Sequence, residues 1–142
     1  MPQNDVQQCI TNCPDLASLD EASQKFLLAR GEEIQLNPGA ILYSEGAMLD
    51  DTFCLLLTGE LLLEIGGKRV GRVPKNELFG EMAYFLSEKK RTATIRAGSM
   101  GAFVLRIRLT RDELGAPAFI ALKTYLGAQA WERFVSNSQR FV

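Results

Sequence analysis

The sequence predicts a mainly β domain with flanking helices, and three observations predict it. Between residues 31 and 109, seven or eight short apolar or alternating runs recur, broken mostly by glycine, proline or asparagine. That regular spacing argues for a sandwich, barrel or jelly roll. Capping-box sequences open helical patterns on both sides of the β block. Across its 142 residues the chain has no linker, repeat or low-complexity tract. It therefore reads as one domain over 1–142, large enough to bury a core of its own.

Taken in order, Ser18-Leu19-Asp20-Glu21 reads as a capping box, with Ser18 at N-cap and Glu21 at N3. Leu19, Ala22, Phe26 and Ala29 follow at helical spacing and predict a helix over 19–30, stopped by Gly31. The texture then changes. Glu32 to Leu36 alternates up to the Asn37-Pro38-Gly39 turn, and Ile41-Leu42-Tyr43 is a second strand closed by Glu45-Gly46. Thr52 to Thr58 is an almost unbroken apolar run, which suggests burial. Gly59 punctuates before Leu61 to Ile65, and Gly66-Gly67 makes a two-residue hairpin turn into Lys68 to Val73. Pro74-Lys75-Asn76 turns the chain towards Leu78-Phe79; strands over Thr92 to Ala97 and Ala102 to Leu109 complete the β-roll, 31–109. Thr110-Arg111-Asp112-Glu113 is a second capping box, Gly115 interrupts, and Pro117 suits the first turn of a longer helix. Phe119, Leu122, Leu126, Phe134 and Val135 carry an apolar stripe onward, so C-terminal helices are predicted over 110–137. Tyr84 and Phe85 are expected in the core, and Trp131, off the cleanest part of the stripe, on an exposed partner face.

Composition removes several functions. A net charge of −1 gives no basic field for nucleic acid or a membrane surface. No apolar run reaches the roughly 20 residues that span a bilayer, and the start Met-Pro-Gln-Asn-Asp-Val lacks a signal peptide's pattern. A cytoplasmic location is the expectation. With no histidine, the commonest general base and every Ser-His or Cys-His arrangement are missing, so an enzyme is disfavoured. Cys9, Cys13 and Cys54 are odd in number and make no disulfide framework. Packed or free thiols are expected, and no metal.

The chemistry concentrates in 78–97. A strand end runs into Phe79-Gly80-Glu81, a short helical turn follows, and Arg91-Thr92-Ala93 opens another strand. Backbone N–H groups at a helix start joined by a guanidinium suit a phosphate. A carboxylate beside an anion needs a neutral donor such as a sugar hydroxyl. Phosphate plus ribose implies a nucleotide.

These residues resemble the cyclic-nucleotide-binding domain of catabolite-activator-type regulators, kinase regulatory subunits and nucleotide-gated channels. The resemblance covers about 16–137. Its most specific part is Phe79-Gly80-Glu81-Met82-Ala83 and then Arg91-Thr92-Ala93, with ten positions from Glu81 to Arg91. In the family this segment, 79–93, is the phosphate-binding cassette. Gly39 and Gly46, Thr58-Gly59-Glu60 and Gly71-Arg72-Val73 are supporting marks. The resemblance implies a jelly-roll β-barrel (a double-stranded β-helix) with an N-terminal helix, a short cassette helix and two C-terminal helices. It implies that Arg91 binds the exocyclic phosphate oxygens and that Glu81 accepts from the ribose 2′-hydroxyl. Gly80 would let backbone approach, the N–H groups of Met82, Ala83 and Ala93 would face the anion, and Thr92 would offer a hydroxyl. Val70 and Gly71 would line the base pocket.

The implied function is a regulatory sensor of cAMP or cGMP that tightens its cassette and repositions its C-terminal helices to signal to an effector protein. cAMP is favoured on general frequency in the family, although Thr92 is the residue type tied there to cGMP. Among Gln129, Arg133, Ser136 and Asn137 no single base contact is favoured. Asn76 stands where the family usually has glycine, and Lys90 where many members have proline. The chain is expected to be a stand-alone domain without a helix-turn-helix, or else a domain cut from a longer protein. Direct DNA binding is not expected; the C-terminal helix stripe reads equally as packing and as the seam of a homodimer. A ligand-free β-roll interaction module is the alternative. A cysteine-based redox sensor ranks lower, and a cupin-like metal enzyme, which needs a histidine cluster, lower still.

Overall fold

The structure, a computed structural model, describes residues 12–17, 19–74, 77–85, 89–120, 122–124, 126–129 and 131. Its strands are β1 (Gly31–Leu36), β2 (Ile41–Tyr43), β3 (Thr52–Ile65), β4 (Lys68–Arg72), β5 (Leu78–Phe79) and β6 (Thr94–Arg108). The helices are α1 (Pro14–Ala17), α2 (Glu21–Ala29), α3 (Met82–Phe85) and α4 (Arg111–Leu114). A 3-10 turn, Pro117–Phe119, then leads into helical backbone at 120, 122–124, 126–129 and 131.

Strands β3 and β6 pair with each other from Thr52↔Arg108 to Glu64↔Thr94. Each half of either strand takes a different second neighbour. On β6 these are β2 and β1, and on β3 they are β5 and β4. An antiparallel sheet with two such long strands curls on itself, and the result is the expected jelly roll. The strands were expected as four pieces, 52–58, 61–65, 92–97 and 102–109; the structure makes them two. The reason is a shared corner. Gly59 (φ +91°) and Gly101 (φ +67°) lie beside each other there, with register shifts around Gly59, and a Cβ on Gly59 would run into the Gly101 carbonyl oxygen. Glycine with a bulge bends a strand without ending it.

Three boundaries also differ from expectation. Asp20, not Ser18, caps α2: its Oδ1 accepts from Ser23 N at 2.7 Å, and Ser18 itself lies outside the described residues. Gly31 does not stop the helix but begins β1, where a Cβ would sit 2.7 Å from Leu105 Cδ1. β6 starts at Thr94 and not Thr92, because the Arg91 backbone is taken by another partner: its N–H donates to Ala47 O (2.8 Å) and its carbonyl accepts from Gly46 N (2.9 Å). The Thr110 capping box is present with both reciprocal bonds. Asn76, Phe134, Val135 and the rest of the predicted helix beyond 131 lie outside the described residues.

The apolar run of β3 is explained by two cores. Phe53, Leu55 and Leu57 face a cluster with Leu27, Leu105, Ile107, Leu114, Phe119, Leu122 and Leu126, between the roll and the helices. Cys54, Leu56 and Leu61 face the roll interior with Tyr43, Val73, Phe79, Ile95 and Val104. Both faces of a period-two strand are covered, so polar alternation disappears. The N- and C-terminal helices meet on the outer core: Phe26 and Phe119 rings lie 5.5 Å apart, and Arg30 pairs with Glu113 at 2.7 Å. Among the described residues no helix is long and apolar enough to cross a membrane.

Candidate functional site

The roll interior is not filled to its end. A cavity of about 230 Å³ opens between β2, β3, β4 and the segment that carries β5 and α3. Phe79, Gly80, Glu81, Ala83, Arg91, Thr92, Ala93 and Val70 all lie on its lining, so the structure brings together most of the residues singled out in the sequence. Met82 begins α3, and its side chain lies outside what is described. Gly71 is not on the lining. It pairs with lining residue Leu63 in the β3–β4 ladder, where a register shift leaves Val70 as the extra residue, and it is the side chains of Val70, Arg72 and Val73 on either side that reach the cavity. The walls also include Tyr43, Leu63, Ile65, Val73 and Ile95, mostly apolar, with Arg72 and Glu77 as further charges. Spacing alone did not single out these residues; only the alternation of their strands could have suggested them.

Two charged side chains are buried on this lining: Glu81, fully, and Arg91, 5% exposed. Gly80 between them and the β-roll has φ +85°, a conformation that favours glycine, and packs tightly against Arg91 and Tyr43. Arg91 is held from several directions. Its Nη1 donates to Gly80 O (2.6 Å), and its Nη2 donates to Asp50 Oδ1 (2.7 Å) and Thr52 O (2.8 Å). Its guanidinium lies 3.7 Å from the centre of the Tyr43 ring. Burial alone would raise the Asp50 carboxyl, but hydrogen bonds from Thr52 and Arg91, and the charge of Arg91, outweigh it and hold the group below the usual carboxylate range. Asp50 and Thr52 were not read from the sequence, and nothing local marks them.

A hydrogen-bonded chain runs behind the arginine. Thr52 Oγ1 donates to Asp50 Oδ1 at 2.6 Å, Tyr43 Oη lies 2.7 Å from Thr52 Oγ1, and Cys54 Sγ lies 3.1 Å from Tyr43 Oη. A hydroxyl has one proton. Since Thr52 gives its own to Asp50, Tyr43 donates to Thr52, and Cys54 donates to Tyr43. Burial pushes the Tyr43 phenol far above its usual value, so it stays neutral. Cys13 and Cys54 are buried in the two cores, and Cys9 lies outside the described residues. Among the described residues no three His, Cys, Asp or Glu side chains form a metal-holding group.

Three further expectations meet the structure here. Lys90, the proline replacement, forms a β-bridge with Met48, and Leu49 N donates to Lys89 O at 2.7 Å, so backbone pairing supports this loop. Gln129, one of the residues weighed for base contact, instead donates from Nε2 to Leu78 O at 2.9 Å. Tyr84 is core as expected, with its hydroxyl donating to Leu109 O at 2.6 Å.

A rolled antiparallel sheet whose interior cavity gathers a glycine, a buried carboxylate and a buried arginine defines a class of small-ligand-binding β-rolls. The cyclic nucleotide-binding domain model matches residues 33–111, and the chain belongs to that family. The Pycsar effector protein RsmPycTIR of Rhodovulum sp. (strain MB263) is 30% identical over 90 residues, 62% of this chain and 35% of that protein. The chain thus spans about a third of that relative's length. Among solved structures, cAMP-bound PfPKA-R (141–441) matches at TM-score 0.72 and 22% identity, over 94% of this chain and 44% of that one. A putative cyclic nucleotide-binding protein from Geobacter metallireducens GS-15 matches at TM-score 0.74 and 21% identity, over 94% and 99%. These likenesses carry the fold.

Proposed function

We propose that the cavity binds a 3′,5′-cyclic nucleotide, cAMP ahead of cGMP, and that the chain is a regulatory sensor. One observation carries this reading: in a chain of this family, buried Arg91 and Glu81 converge on a single apolar-walled cavity. Arg91 meets the exocyclic phosphate oxygens, using a guanidinium with five N–H donors that Asp50 and Thr52 already orient. Glu81 accepts from the ribose 2′-hydroxyl. Gly80 and the backbone N–H groups of Met82, Ala83 and Ala93 close around the anion, and Thr92 adds a hydroxyl. Leu63, Ile65, Val70 and Val73 give the base an apolar face to pack on.

Binding then shifts the helical segment after α4, which is tied to β5 through Gln129. The output goes to an effector protein; a relative named as an effector supports that reading. Exposed Ile120 and Trp131 on the same segment support a homodimer seam there. The test is calorimetric titration of cAMP and cGMP into wild type and Arg91→Ala. Each charge-assisted hydrogen bond is worth about 1.5–3 kcal/mol, so the variant is expected to bind on the order of 100-fold more weakly. No heat with either nucleotide would sink the proposal and favour a ligand-free interaction module. cGMP binding at least about tenfold tighter would reverse the order of bases.

A further inference from the structure

We propose that Tyr43 is a positioning residue for Arg91: its ring and its anchored hydroxyl hold the guanidinium where it meets a cyclic phosphate. The inference rests on the reading of Arg91 as the phosphate ligand. An arginine side chain is long and flexible, and a guanidinium aimed at a small anion loses entropy unless its surroundings fix it first. Gly80 O, Asp50 and Thr52 O hold its edges. Those bonds lie near the guanidinium plane and leave tilt out of the plane to be resisted by what packs on its face. Tyr43 supplies that face, with the ring centre 3.7 Å from Arg91 Cζ.

The fit is close on every side. A Cβ built on Gly80 would lie 3.1 Å from both Arg91 Nη1 and Tyr43 Cε2, so glycine, arginine and tyrosine are in mutual contact with no room for a side chain between them. The far end of the tyrosine is anchored too. Its hydroxyl donates to Thr52 Oγ1 (2.7 Å) and accepts from Cys54 Sγ (3.1 Å), both buried. Tilting the ring breaks both bonds and leaves their partners, Thr52 and Cys54, buried at 0% exposure with a bond lost. Tyr43 is also part of the cavity lining, 5% exposed, so it stands between the ligand space and the roll's core. Phenylalanine would serve a core position equally well. The hydroxyl is explained by the need to fix the ring.

The experiment uses the two phosphorothioate diastereomers of cAMP, Rp and Sp, in each of which sulfur replaces one exocyclic oxygen. A guanidinium fixed in one place bonds the two exocyclic positions unequally and distinguishes the diastereomers; a loose one does not. Wild type is expected to separate them by at least about tenfold in Kd. Tyr43→Leu, which keeps apolar volume but removes the face and the hydroxyl, is expected to compress that ratio to within about threefold and to weaken cAMP by about tenfold. Tyr43→Phe is expected to fall between. Equal weakening of cAMP and both analogues at an unchanged ratio makes Tyr43 merely structural and overturns the proposal, as does no change at all. A wild type that binds cAMP without separating the diastereomers overturns it as well. If Tyr43→Leu does not fold, Tyr43→Phe decides: an unchanged ratio is fatal. A folded wild type that binds no cyclic nucleotide is a different failure, that of the Arg91 reading beneath it.

Discussion

Burial pushes the Cys54 thiol up to about 12, against the opposing fields of Arg91 and Arg106. The thiolate is the reactive form, so at pH 8 Cys54 is held in its unreactive thiol form, and the side chain is enclosed. Iodoacetamide applied to the native protein at pH 8 is therefore expected to leave Cys54 unmodified, and to label it once urea unfolds the chain; peptide mapping by mass spectrometry reads both states. Prompt native labelling would restore the redox reading. The same neighbourhood shows what a sequence can and cannot disclose about single residues. Gly80, Glu81 and Arg91 were legible because their chemistry is compressed into one short segment. Asp50 and Thr52 were not, since they reach Arg91 across 41 and 39 positions. Their partnership is created by strand pairing, which no local motif records.

Among elements, the bend shared by β3 and β6 decides where the cavity can be. Strand texture, turns and both capping patterns were legible, because glycine, proline and alternation act within a few residues. Continuity through Gly59 was not, because a glycine that ends a strand and a glycine that bends one look alike until the partner strand is known. Gly59 and Gly66 separate the two demands on glycine. Both have positive φ, but a Cβ on Gly66 meets nothing within 4 Å, while one on Gly59 overlaps the Gly101–Ala102 backbone. Gly66→Ala bears backbone strain alone, about 1 kcal/mol. Gly59→Ala adds a clash with main chain that cannot rotate away, for a total of about 2–4 kcal/mol. Urea denaturation should show the midpoint falling much further for Gly59→Ala than for Gly66→Ala, with m unchanged in both. Equal shifts would mean that the corner is looser than the packing implies.

Across the whole molecule, three hydrogen bonds tie the segment that carries β5 and α3 to the C-terminal side of the chain. Tyr84 Oη donates to Leu109 O, Arg111 Nε donates to Tyr84 O, and Gln129 Nε2 donates to Leu78 O. Leu78 and Tyr84 flank Gly80 and Glu81, so these bonds are the route by which the proposed shift would reach Leu109, Arg111 and Gln129. The third tie is imperfect. Among the described residues Gln129 Oε1 is the buried side-chain polar atom without a hydrogen-bond partner, and such an orphan costs about 1–3 kcal/mol. That cost offsets part of what burying Phe119, Leu122 and Leu126 contributes to docking the segment, and a ligand that binds one arrangement better than another shifts the balance by its difference in affinity. Trp131, the chain's one tryptophan, sits on this segment with 66% of its surface exposed and reports on it directly. In wild type its emission is expected to change along the same saturation curve as the calorimetric heat of nucleotide binding. Gln129→Leu removes both the tie to Leu78 and the orphan oxygen, so it should still bind nucleotide but with a smaller emission change. Heat of binding with flat Trp131 emission in wild type would mean that the segment stays docked, and that the signal leaves the β-roll by another face.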